Sequence, residues 1–254
     1  MSTETLITKP NTVCKNASTE SKTQPAVASA ATHGAKPQTA GKIAAELAVP
    51  KPMAESVRLL LVELKSPDSA GRARAAGELG RMADAAAAPA LIAALRDADA
   101  DVGREAATSL GVLGNATAVE PLIAVVNNRD GYFHSVVRVA AIHSLGQLRD
   151  LRAVEPLLKA IKDPMAEASA EAIDALASLS DPRSLPALLE VVRNEHGFFL
   201  NTTRRAAILG LAKIGGEQAA CEVGFVAANQ WEDAGVRAAA IEAKSKRVIA
   251  IAGA

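Results

Sequence analysis

An all-α fold, a stack of about five helix pairs with a partial pair at each end, is predicted by three observations. First, Leu79, Leu110, Leu145, Leu176 and Leu211 hold one recurring slot, at separations of 31, 35, 31 and 35 residues. Each is followed by a small residue: Gly80, Gly111, Gly146, Ala177 and Ala212. A fixed period of this size marks a repeat architecture. Second, an alanine stands four residues before each leucine: Ala75, Ala106, Ala141, Ala172 and Ala207. An i, i+4 pairing is a helical stripe and not a strand alternation. Third, hydrophobic residues make up 49% of the chain but aromatics only 2%, so the core is built from Ala, Leu, Val and Ile. Helices that pack closely at small residues need that composition.

Residues 1–40 hold Ser, Thr, Ala, Lys, Gln and Pro with few large apolar side chains, so they bury too little surface to offset their ordering entropy. This stretch is expected to be a disordered tail, read either as a solubilising spacer or as a hydroxyl-rich docking segment. A short helix at 43–49 is expected to stop at Pro50-Lys51-Pro52. The repeat region spans 41–254. A partial cap covers 41–65, where Val57, Leu60, Leu61 and Leu64 share a face. Complete units run about 68–97, 99–128, 134–163, 165–194 and 201–230. In each, a first helix carries the Ala–Leu stripe. A second carries Leu91, Leu122, Leu157 or Leu188, twelve residues beyond the first leucine. Pro121 and Pro156 fall near second-helix starts, where a missing N–H costs little. Asp68 and Asp101 read as N-caps. A last partial cap, 232–250, puts Lys244 in the leucine slot and Ser245 in the glycine slot, polar as an exposed end requires.

A longer period lies inside the first. Asn128-Arg129-Asp130-Gly131-Tyr132-Phe133-His134 matches Asn194-Glu195-His196-Gly197-Phe198-Phe199-Leu200 at an offset of 66. We read this as duplication of a two-unit cassette. Both inserts join a second helix to the next first helix. They therefore share one edge, on the order of 20 Å apart if helices stack at their usual spacing.

The unit that reads Val137, Arg138, Ala140, Ala141, Ile142, Leu145, Gly146 and Leu148, then Ala153, Val154, Glu155, Pro156, Leu157, Leu158, Ala160 and Ile161, resembles the HEAT-like repeat of the phycobilisome-lyase type. The resemblance covers roughly residue 53 to the C-terminus. It implies a right-handed α-solenoid of about five HEAT-like helix pairs. For function it implies little, because the matching residues are those that pack. Relatives with this repeat attach or detach phycobilins. HEAT-repeat deoxyhypusine hydroxylases hold iron through His-Glu dipeptides, and this chain has none.

The 28 basic and 28 acidic residues cancel, which argues against nucleic-acid or anionic-membrane binding. No apolar run approaches the ~20 residues of a membrane span. The first residues lack the basic-then-apolar pattern of a secretory signal. Two cysteines, Cys14 and Cys221, suit a reducing cytoplasm, with Cys221 expected as a buried, inert thiol. His33, His134, His143 and His196 have no metal-ligand spacing, and His143 falls on a solvent face. No catalytic group, metal or cofactor is expected.

The partner is expected to be a protein or peptide. Tyr132, Phe133, Phe198 and Phe199, four of the six aromatics, sit in the two inserts beside His134. They bind, or they fold back to fill a gap between cassettes. One aromatic of each pair can do each job. The solvent side of the second helices should line the concave face, with Glu155, Lys159, Lys162, Glu190 and Arg193 as its candidate partner-binding members. Further along the same lane lie Pro89, Ala93, Arg96, Glu120, Ala124, Asn127 and Pro186. Lys65, Arg96, Lys162 and Arg193 also close second helices, where a cation complements the helix dipole. The Arg72, Arg138, Arg204 and Arg237 column reads as an interior ladder or as a ligand contact. A protein-binding scaffold or adaptor is the first functional expectation. A phycobilin lyase-like or chromophore-handling protein, or a regulatory or assembly subunit of an enzyme complex, is the alternative.

Overall fold

The Ala–Leu stripe forms five helices of 14 residues each: α2 (Ser69–Met82), α4 (Ala100–Leu113), α6 (Ser135–Leu148), α8 (Ala166–Leu179) and α10 (Asn201–Ile214). Shorter helices follow each in turn: α3 (Ala88–Ala94), α5 (Val119–Asn127), α7 (Val154–Ala160), α9 (Ser184–Arg193) and α11 (Glu217–Ala228). Helix α1 (Glu55–Glu63) precedes them and α12 (Ala234–Ala252) closes the series. The computed structural model describes residues 55–252, and side chains as far as 246. The expected tail, the short helix at 43–49 and the proline break lie outside those residues.

The long helices stop because the backbone turns left-handed. Ala83, Gly114, Arg149 and Ser180 have φ of 51°, 66°, 53° and 53°. Asp84, Asn115, Asp150 and Asp181 come next, and each side chain accepts from the backbone N–H two residues on, at 2.8–3.0 Å. Only glycine adopts a left-handed φ without a Cβ penalty. Ala83→Gly should therefore raise unfolding stability by about 0.5–1 kcal/mol, net of the added unfolded-state entropy. A thermal melt checks it, and a lowered midpoint would contradict the helix-stop assignment. At helix starts Asp68 caps α2, accepting from Gly71 N at 2.9 Å. The cap of α4 is Asp99, not Asp101, which lies inside the first turn.

The long helices α2, α4, α6, α8, α10 and α12 pack consecutively as one layer. Each shorter helix docks on the first helix of the next unit: α1 on α2, α3 on α4, α5 on α6, α7 on α8, α9 on α10, α11 on α12. The described helices thus begin with a second-type helix and end with a first-type one, and both find partners. All five alanines and all five leucines of the stripe are fully buried, as are Leu91, Leu122, Leu157 and Leu188. The glycine slot sets how near the long helices come. A Cβ on Gly146 would lie 2.9 Å from the Ala175 Cα, and one on Gly80 2.9 Å from the Ser109 Cα. Ser109 and Ser144 use this proximity to donate to the carbonyls of Ala76 and Ala107, both at 2.8 Å. In α12 the leucine slot, Lys244, is exposed, while Ala240 in the alanine slot is buried.

Candidate functional site

The loops that follow the shorter helices carry the expected site. In the loop between α5 and α6, Asn128 ends the helix at φ 39° and turns its side chain onto Phe133. Its Oδ1 accepts from Phe133 N at 2.9 Å and its Nδ2 donates to Phe133 O at 3.2 Å. Gly131, at φ 64°, donates to Asn128 O at 3.0 Å. The loop between α9 and α10 repeats every one of these bonds. Asn194 clamps Phe199 at 2.8 and 3.0 Å, and Gly197, at φ 68°, donates to Asn194 O at 2.9 Å. A side-chain amide that satisfies both backbone groups of one residue acts like a strand pair, so these inserts are pre-shaped.

Within each clamp the two rings meet edge to face. Tyr132 and Phe133 lie 5.3 Å apart at 88°, and Phe198 and Phe199 lie 5.0 Å apart at 86°. The second ring packs inward: Phe199 is buried and Phe133 rests half-buried on the core. The first ring faces out, with Tyr132 49% and Phe198 61% exposed. His134 serves as N-cap of α6, its Nδ1 accepting from Val136 N at 3.4 Å. Leu200, its counterpart, caps nothing and is exposed.

The arginine column is an interior ladder, and it ties successive edge loops together. Arg72 donates to Asp97 at 2.7 and 2.8 Å and to Ser66 O at 2.9 Å. Arg138 pairs with Asp163. Buried Arg204 donates to Val192 O at 2.9 and 3.1 Å and grips both oxygens of Glu232 at 2.7 and 2.8 Å. The Arg204 hydrogen bond holds the Glu232 carboxyl below the usual carboxylate range, against the opposing effect of burial. Arg237 donates to Gln230 O at 3.2 Å.

That last ladder loop presents a residue that composition and periodicity left aside. Trp231, between α11 and α12, is 87% exposed. The Arg204–Glu232 pair and the Asp233 cap of α12 fix its neighbours. The signal was in the numbering: Trp231 lies 33 residues beyond Phe198, which lies 66 beyond Tyr132. Phe225 on α11 is also exposed.

The second-helix lane is exposed as expected, from Pro89, Ala93 and Arg96 through Glu155, Lys159, Lys162, Glu190 and Arg193. Its charges are partly matched, Lys162 with Glu190 at 3.1 Å and Arg193 with Glu222 at 2.9 Å. A groove of about 590 Å³ gathers Lys162, Glu190, Arg193, Phe198 and Phe199 together. Tyr132, Phe133, His134, Glu155 and Lys159 lie outside it. His143 is exposed on α6, hydrogen-bonded to Glu171 at 2.7 Å and Gln147 at 2.9 Å. Cys221 is exposed on α11 rather than buried, and it is not a free thiol. It therefore lends no support to the reducing-compartment argument. Among the described residues no group of three or more His, Cys, Asp or Glu is placed to hold a metal, and no helix is long and apolar enough to cross a membrane.

Stacked helix pairs with loops clamped along one edge define an α-helical repeat protein. The HEAT repeat model matches residues 57–133 and 132–200, more than half of the chain, and the chain belongs to that family. Among solved structures it is similar to the complex of CpcE and CpcF of phycocyanin lyase from Nostoc sp. PCC7120. That match has 26% identity and a TM-score of 0.55, covering 77% of this chain and 78% of that one. A designed armadillo repeat protein in complex with the peptide (KR)4 shares the fold at 19% identity and a TM-score of 0.51, over 75% of this chain and all of that one. An engineered protein does so at 22% identity and 0.51, over 76% and 96%. No curated protein matches the chain.

Proposed function

We propose that this protein is a non-enzymatic scaffold or adaptor. It binds a protein or peptide through the solvent side of its second helices and through the aromatic edge. Its working part is the repeat region, 41–254, and residues 1–40 serve as a tail. The observation that carries this reading is the outward ring held on each clamped loop. Tyr132 and Phe198 stand on equivalent, pre-shaped inserts, with Trp231 in the next loop but one. Large apolar side chains on rigid loops cost little ordering entropy when they bind, and aromatics dominate interface hot spots.

The test is affinity capture with the wild type against Tyr132→Ala/Phe198→Ala. The exposed rings are the ones to remove, because Phe133 and Phe199 support the loops from inside. A partner retained by the wild type should be lost or weakened at least about tenfold in the double variant, as for removal of one hot spot. Equal recovery of the same partners would sink the edge as a binding surface.

A second reading rests on the 26% likeness to the CpcE and CpcF complex. In it the chain handles a phycobilin, as one subunit of a pair. Co-expression with a bilin pathway tests it: visible absorbance that co-purifies with the chain supports it, and a colourless protein counts against it.

A further inference from the structure

The cassette duplication contains its own comparison. In the first cassette the ring pair has an occupant from within the chain. The Arg96 guanidinium lies over Tyr132 at 4.8 Å and over Phe133 at 5.4 Å, and the Tyr132 hydroxyl donates to Arg96 O at 2.8 Å. Sixty-six residues on, the same slot holds Lys162. It does not reach the rings, because it pairs with Glu190 at 3.1 Å. Ala124 stands where Glu190 would be in the first cassette, so nothing there draws Arg96 away. Among the described residues no cation stacks on Phe198 or Phe199. The ring pair keeps its geometry, 5.0 Å and 86°, and opens on the groove of about 590 Å³.

We infer that Phe198 and Phe199 form an arginine-binding subsite, which takes from a partner protein the guanidinium that Arg96 supplies internally to Tyr132 and Phe133. The inference rests on the reading of this edge as a protein-binding surface and names the chemistry it recognises. Charge favours it. The groove's two cations are already matched, Lys162 by Glu190 and Arg193 by Glu222. Glu195, whose charge also acts on Arg193, replaces the Arg129 of the first cassette and lines the groove. An incoming cation thus meets a carboxylate where the first cassette has an arginine. A guanidinium suits the site better than an ammonium, because it is planar, weakly hydrated and stacks on aromatic faces.

The chain has four phenylalanines, so ring-labelled phenylalanine gives few NMR signals, each assignable by substitution. Titration of the full chain with acetyl-arginine amide should shift the Phe198 and Phe199 rings saturably. Exposed Phe225 and half-buried Phe133 should not move. Acetyl-lysine amide should bind about fivefold more weakly or worse, and Phe198→Ala should weaken arginine binding by about fivefold to tenfold. Glu195→Gln should weaken it less. The double substitution Lys162→Arg/Glu190→Ala recreates the first cassette and should abolish binding by covering the rings from within. All these positions are exposed, so the variants should fold, and circular dichroism verifies it.

Equal shifts at all four rings, equal response to the two amides, or unchanged arginine binding in the double variant would each overturn the subsite. If capture of a partner depends on Phe198 while arginine amide does not bind, the scaffold reading stands and the subsite falls. If arginine amide binds and capture is indifferent to the edge, the protein-binding reading falls and only the affinity of the rings for a guanidinium stands.

Discussion

Leu145→Ala should lower the unfolding free energy by about 2–5 kcal/mol, as loss of a fully buried leucine does. Leu145 is completely enclosed at the centre of α6, between units on either side. Its neighbour Gly146 leaves no room for repacking, since a Cβ there already meets the backbone of Ala175. The cavity should therefore stay open, which places the cost toward the upper part of the range. Urea unfolding measures it, with Leu151→Ala as the control. Leu151 is 55% exposed, and its loss should change stability by no more than about 0.5 kcal/mol. A loss below about 0.5 kcal/mol at Leu145 would mean that the repeat register is wrong.

Glu232→Ala should cost on the order of 3 kcal/mol, because it leaves the buried Arg204 charge without its carboxylate. The two side chains are 15% and 10% exposed, so solvent offers little compensation. The same pair predicts a pH dependence. Hydrogen bonding from Arg204 lowers the Glu232 pKa in the folded state. A lowered carboxylate stabilises the fold fully above the unfolded value of about 4.3, and that contribution is lost as pH falls through the folded value. Asp97, lowered chiefly by its hydrogen bond from Arg72, acts in the same direction. Acid unfolding should therefore steepen below about pH 4 in the wild type and less so in Glu232→Gln. Identical acid profiles would show that the pair does not hold the edge.

The layered part of this structure was legible in the sequence because packing is periodic. A leucine every 31 or 35 residues, with alanine four before and glycine one after, leaves one helical face to bury and one spacing at which to stack. The edge was only half legible. The 66-residue offset revealed the inserts, but not which ring of each pair turns outward. That choice is made by Asn128 and Asn194, whose amides bond to the second aromatic residue five positions on, a consequence of a left-handed helix stop. Trp231 escaped because its loop has no Asn-Gly insert, and only the number 33 connects it to Phe198. Asp101 looked like a cap by its place near a helix start, whereas the backbone turn selects Asp99. Cys221 looked buried among small residues, yet its side of α11 faces out.

The offset docking of the shorter helices decides where this chain tolerates being cut. Each of them packs more extensively on the long helix that comes after it than on the one before. A fragment trimmed after α8 would keep α7 covered and bare the α8 face that meets α10, where Ile173 and Ala177 lie. One trimmed after α9 would leave Leu188, Val191 and Val192 bare to water. Lengthening and shortening of such a protein therefore proceed in steps that finish on a long helix, whatever boundary the repeat motif draws.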